Sequence, residues 1–130
     1  MLNISCTHND YLVFNGTWTR EHLGHIMIFI EMSKFTSLLD KYLNDEEYRQ
    51  LQNYLLENPK AGAILRGSRG IRKLRWAARG KGKSGGVIII YYWAEQPEHI
   101  YLLTLYSKGE QENIDAATLK RIVKLLETLK

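Results

Sequence analysis

The chain has 130 residues, 45% apolar and 25% charged, a balance that excludes a disordered tail or a repeat array and fits one globular domain burying roughly two thirds of its unfolded surface. A single cysteine, Cys6, rules out an internal disulfide, and no apolar run approaches the roughly 20 residues that span a bilayer, so a reducing, cytoplasmic setting with no membrane partner is expected. The net charge of +4 hides a segregation: residues 58–94 hold nine of the 18 basic side chains and no carboxylate, which leaves the rest of the chain at −5.

Residues 1–26 have no sustained period, and Asp10, Arg20, Glu21 and three histidines break any signal-like apolar stretch. They read as an N-terminal extension preceding a domain over residues 27–130. His22 and His25 are three apart with no second pair, a spacing too weak for a metal site. Met27 to Ile30 is a short apolar run and reads as a strand. Ser33 then offers an N-cap to a helix whose Phe35, Leu38, Leu39 and Tyr42 recur at helical spacing.

Asn44 and Glu47 form a capping-box pair at the head of a second helix, with Tyr48, Leu51, Tyr54 and Leu55 on one face. Asn58 and Pro59 end it, because the proline ring cannot continue the hydrogen-bond ladder. So short a joint predicts an antiparallel helical hairpin. Gly62 to Gly70 follows as a glycine-rich connection.

From Ile71 to Ala78, Leu74 and Trp76 alternate with Lys73 and Arg75, so a strand buries the first pair and projects both cations from the other face. Val87 to Trp93 is unbroken, β-branched and aromatic, as suits a central strand. Glu95 to His99, with Pro97, turns the chain into a similar strand from Ile100 to Tyr106. Asp115 caps a last helix with Leu119, Ile122, Val123, Leu126 and Leu129 on its apolar side. Strand, two helices, three strands and a helix define an α+β fold with a small antiparallel-rich sheet.

Lys60, Arg66, Arg69, Arg72, Lys73, Arg75, Arg79, Lys81 and Lys83 all fall in the carboxylate-free window, together with seven of the ten glycines. A segment at +9 beside a body at −5 sets up a one-sided positive field that favours a polyanion partner. The stretch AARGKGKSGG imitates a phosphate loop, but Ala77 stands where the Walker pattern requires its first glycine, and a strand rather than a helix follows. It reads instead as a hairpin tip whose Arg79, Lys81 and Lys83 reach phosphates.

Four blocks in order, MIFIEMSKF, YLNDEEYRQLQNYLLENPKAG, GIRKLRWAARGKGKSGG running into IIYYW, and LLTLYSKGEQENI, resemble the RelE/ParE superfamily of type II toxin-antitoxin toxins, especially its HigB-like branch. The resemblance spans Met27 to the C-terminus. It implies a RelE-like fold with an N-terminal helical hairpin and a C-terminal helix. It also implies a cytoplasmic mRNA interferase that binds the ribosome, cleaves mRNA there and is neutralised by a cognate antitoxin. Such toxins are metal-independent endoribonucleases that need no cofactor: the substrate 2′-hydroxyl attacks the adjacent phosphate, and the protein supplies proton transfer and charge stabilisation. By motif position, Lys73, Arg75 and Lys108 are the expected catalytic cations. Arg66, Arg69, Arg72, Arg79, Lys81 and Lys83 are the expected RNA- and ribosome-binding ones.

The sequence departs from the family at Ile88, where an arginine is usual, and at Gly109, where RelE itself has an arginine and a tyrosine follows. The resemblance does not identify the general base. Losing one such cation costs about 3–4 kcal/mol of transition-state stabilisation unless a neighbour compensates. Two alternatives therefore stand beside the ribonuclease: a ParE-like topoisomerase-binding toxin, and a catalytically weakened homologue acting with its antitoxin in repression. Residues 1–26 lie outside the resemblance, whose members commonly begin near Met27; a start assigned too far upstream would account for them.

Overall fold

A computed structural model describes residues 6–8, 11–13, 16–20, 25–77, 86–95, 98–111 and 113–129. Strands β1 (Cys6–His8) and β2 (Tyr11–Val13) pair antiparallel as a two-stranded sheet. The main sheet contains β3 (Gly16–Arg20), β4 (His25–Glu31), β5 (Ala63–Ile64), β6 (Ile71–Trp76), β7 (Val87–Ala94) and β8 (His99–Ser107), in the order β3-β4-β8-β7-β6-β5. All neighbours are antiparallel except β4 and β8, which run parallel with Ile28 opposite His99 and Glu31 opposite Leu102. Helices α1 (Ser33–Tyr42) and α2 (Asp45–Glu57) lie between β4 and β5, and α3 (Ala116–Leu129) ends the chain. The fold is α+β on a mixed sheet. β4 begins at His25, within the expected extension, and β3 borders it with Thr17 opposite Ile28.

The turn from β4 into α1 corrects one sequence expectation. Ser33 is the first helical residue and not the cap; Met32 holds that place and makes no side-chain cap bond. Met32 N–H is committed to the Leu102 carbonyl at 2.9 Å, and its own carbonyl accepts from Thr36 N–H at 3.0 Å, so the helix starts where sheet pairing stops. Beside this junction the buried Glu31 carboxylate accepts from the Thr36 and Tyr48 hydroxyls, each at 2.6 Å. The other two caps form as read. Asn44 Oδ1 accepts from Glu47 N–H at 2.7 Å while the Glu47 carboxylate accepts from Asn44 N–H at 2.9 Å. Asp115 Oδ1 accepts from Thr118 N–H at 2.7 Å, and that bond holds its carboxyl below the ordinary range. Asn44→Ala is expected to cost about 1 kcal/mol, a fall of roughly 3–6 °C in Tm on a thermal melt.

The sheet is covered on both faces, which explains why β7 is buried from Val87 to Tyr91. On one face α1 and α2, joined only through Leu43 and Asn44, bring Phe35, Tyr42, Leu51, Leu55 and Leu56 against Met27, Phe29, Leu74, Val87, Ile89, Tyr91, Ile100, Leu102 and Leu105. On the other face, residues of α3 and the segment before it cover Ile71, Ile88, Ile90, Leu103 and Tyr106. A register shift between Ile90 and Tyr91, which pair with Thr104 and Leu102, leaves Leu103 as the extra residue of β8. Each fully buried leucine or isoleucine contributes about 1.5–3 kcal/mol of transfer free energy.

His99 opens β8 with its ring nearly perpendicular to that of Tyr101, and burial lowers its pKa below the ordinary 6.5. The unfolded chain therefore binds this proton more readily than the fold does. The stabilising contribution is complete above the unfolded pKa and is lost as pH falls from there to the folded value. His99→Gln is expected to flatten the slope of stability against pH as pH falls below the ordinary histidine value of about 6.5 in urea titrations. An unchanged slope would show that His99 is not its source.

Candidate nucleic-acid interface

Strand alternation on β6 decides which cations can act together. Ile71 packs in the α3 cluster and Leu74 in the α1–α2 cluster, so Lys73 and Arg75 share the α3 face with Ile71. Arg75 is exposed, and no ion pair engages it among the described residues. Lys73 is half-buried and donates from Nζ to Asn113 Oδ1 at 2.7 Å. A neutral amide satisfies one of its three protons without cancelling its charge.

Register then places these cations across the sheet. Arg75 is opposite Ile88, which is opposite Tyr106; Lys73 is opposite Ile90, which is opposite Thr104. At the end of the first row, Lys108 N–H donates to the Gly86 carbonyl at 3.0 Å. A Cβ at Gly86 would lie 3.3 Å from Arg75 Nε, so glycine lets the guanidinium lie close over the backbone there. Lys108 and Arg75 thus sit at one end of the sheet, on either side of the start of β7. The turn carrying Lys108 is anchored: Gly109 N–H donates to Ser107 Oγ at 3.2 Å, and Tyr42 donates its hydroxyl to Glu110, whose carboxylate is 3.5 Å from Lys41 Nζ.

The remaining expected cations divide. Arg72 points to the opposite face and donates to the carbonyls of Lys60 at 3.2 Å and Gly62 at 2.7 Å, so it secures the connection after α2. Tyr91 secures the same connection, accepting from Gly62 N–H at 2.9 Å and donating to the Pro59 carbonyl at 2.8 Å. Arg69 has a left-handed φ of 61° and pairs with Glu127 of α3 at 3.1 Å. Both are tied to the fold. Arg66 is exposed in the turn before β6. Arg79, Lys81 and Lys83 lie outside the described residues.

Ile88 is 1% exposed beneath the α3 cluster. Tyr106, next in that row, is buried too, and burial pushes its phenol above the ordinary value, opposed in part by the Ile114 backbone. It therefore stays protonated near neutral pH. His99 is at the opposite end of β8, while Glu110 and Glu127 engage Tyr42 with Lys41 and Arg69. This sheet end offers positive charge and hydrogen-bond donors to an anion. Asn113 is the contributor that sequence reading missed: it lies 40 positions from Lys73, and no local pattern marks it.

The chain thus belongs to the small α+β proteins, with a cationic end on its sheet. No protein-family model matches it. Among the described residues no helix is long and apolar enough to cross a membrane, and no cluster of three metal-ligating side chains occurs.

Proposed function

We propose that the protein is a type II toxin of the RelE/ParE kind that acts on ribosome-bound mRNA as a metal-independent endoribonuclease and is held in check by a cognate antitoxin. The observation that carries this reading is the exposed Arg75 beside Lys73 on one sheet face, at the same end as Lys108 and leading into the AARGKGKSGG segment. Attack by a 2′-hydroxyl on the neighbouring phosphate builds negative charge on the nonbridging and leaving oxygens. In this reading Arg75 and Lys73 stabilise the first, and Lys108 the second.

The burial of Ile88 favours a second reading, a weakened homologue that binds without efficient cleavage and acts with its antitoxin in repression. Primer extension on a translated message with purified ribosomes separates them. Ribosome-dependent breaks within codons, absent from a Lys73→Ala/Arg75→Ala variant, are the expected result. Intact mRNA with retained antitoxin binding would favour the second reading. Intact mRNA with inhibited DNA supercoiling would instead point to a topoisomerase poison.

A further inference from the structure

The last turn of α2 leaves an aromatic ring at the surface. Tyr54 is 38% exposed, and its ring centroid lies 5.4 Å from that of Trp76, which packs against the α1–α2 cluster. Tyr54 also lines an open pocket of about 540 Å³ with Glu57, Asn58, Pro59, Lys60 and Ala61, a volume within the range of small-ligand sites. Tyr54 and Glu57 are three apart on α2, so they are neighbours on one helix face. Lys60 is exposed, with its ammonium 5.7 Å from the Trp93 ring centroid.

The backbone of this pocket is fixed before any ligand arrives. Asn58 donates to the Tyr54 carbonyl from its N–H at 2.8 Å and from Nδ2 at 3.1 Å, and Ala61 N–H donates to the Asn58 carbonyl at 3.0 Å. From the sheet, Tyr91 and Arg72 hold the carbonyls of Pro59 and Lys60. Such a preset wall spares ordering entropy on binding. An exposed aromatic face, a carboxylate and an ammonium then ask for a ligand with a planar ring, N–H donors and an anion. A lipid headgroup has no ring. Among the RNA bases guanine presents two parallel N–H donors, N1–H and N2–H, on its Watson–Crick edge, whereas uracil flanks its one N–H with carbonyls that repel a carboxylate.

We propose that this pocket binds a guanine nucleotide, free or as an unpaired residue of single-stranded RNA. The base lies over Tyr54, its N1–H and N2–H donate to the Glu57 carboxylate, and its 5′-phosphate meets the Lys60 ammonium. Tyr54 meets Trp76 on the sheet face opposite Lys73 and Arg75, so the site does not rest on the cleavage reading.

The test is a titration of the full, isotope-labelled chain with 5′-GMP, followed by the backbone amide resonances. Saturable shifts are expected at Tyr54, Glu57 and Lys60, with GMP binding more tightly than AMP and UMP. Tyr54→Ala should weaken GMP about fivefold or more, while Tyr54→Trp, which keeps a ring, should retain it. Glu57→Gln should cut the preference for GMP over AMP about fivefold. Lys60→Ala should weaken GMP and leave guanosine, which lacks the phosphate, unchanged. Lys73→Ala/Arg75→Ala should leave GMP affinity as it was. An RNA tetramer with one guanine, titrated alongside, tells the two sources apart: tighter binding than GMP assigns the pocket to RNA, and equal or weaker binding assigns it to the free nucleotide. Equal affinity for GMP, AMP and UMP would overturn the proposal, as would a Tyr54→Ala variant that binds GMP unchanged. Absence of binding by both GMP and the tetramer overturns it too.

Discussion

Ile88→Arg is expected to destabilise the protein by about 3–5 kcal/mol, the cost of an uncompensated charge placed in an apolar interior. Position 88 faces α3, is 1% exposed, and has Ile90, Leu103, Tyr106 and Leu126 in its cluster. None of these offers a carboxylate. The neighbouring row member, Arg75, adds a second positive charge directly opposite. Urea unfolding of the variant measures the loss. If the variant instead kept wild-type stability and cleaved ribosomal mRNA faster, α3 would be a cover that lifts from the sheet, and the cationic row would extend from Arg75 toward Tyr106.

The Lys73→Ala/Arg75→Ala double variant is expected to lose about 10- to 100-fold in affinity for single-stranded RNA at low salt, with the slope of log K against log salt reduced by roughly 0.7 for each phosphate contact removed. Stability should change little, because Arg75 is exposed and Lys73 gives up one hydrogen bond to Asn113. The contrast with Arg72→Ala is informative. That change removes two donors from the Lys60 and Gly62 carbonyls, so its larger effect should fall on Tm and its smaller one on RNA. A double variant with an unchanged salt slope would remove this sheet end from the binding surface.

Local chemistry made much of this arrangement legible. The Asn44–Glu47 box and the Asp115 cap depend on residues within a turn of one another and form as the spacing requires, and β6 alternates as read, with Leu74 buried and Arg75 exposed but Trp76 and Lys73 both half-buried. What could not be read is set by distant partners. Ser33 has a capping side chain, yet Met32 takes the cap because Leu102, far along the chain, claims its N–H. In sequence Arg69 and Arg72 are expected to bind RNA and Arg75 to act beside Lys73, and nothing local marks the first two as ties. Only the arrival of Glu127, and of the carbonyls of Lys60 and Gly62, turns the first two into structural ties and leaves the third exposed. Ile88 likewise reads as one apolar residue in a run. That it lies between Arg75 and Tyr106 beneath α3 follows from register and helix placement, which no short window contains.

The parallel pairing of β4 with β8 also orders the steps of folding. β6, β7 and β8 form a meander of adjacent hairpins, and the helical pair α1–α2 closes through two residues, so both need only short loops. Ile28 and His99, by contrast, lie more than half of the 130-residue chain apart. Joining them carries the largest loop-closure entropy among the main-sheet pairings and repays it only after both partners exist. A chain leaving the ribosome therefore cannot seat β4 until β8 has emerged, and until then Met27 and Phe29 have only part of their apolar surroundings. In refolding experiments, truncating Phe29 should mainly accelerate unfolding and leave the folding limb of the chevron nearly unmoved, the signature of a contact made after the rate-limiting barrier.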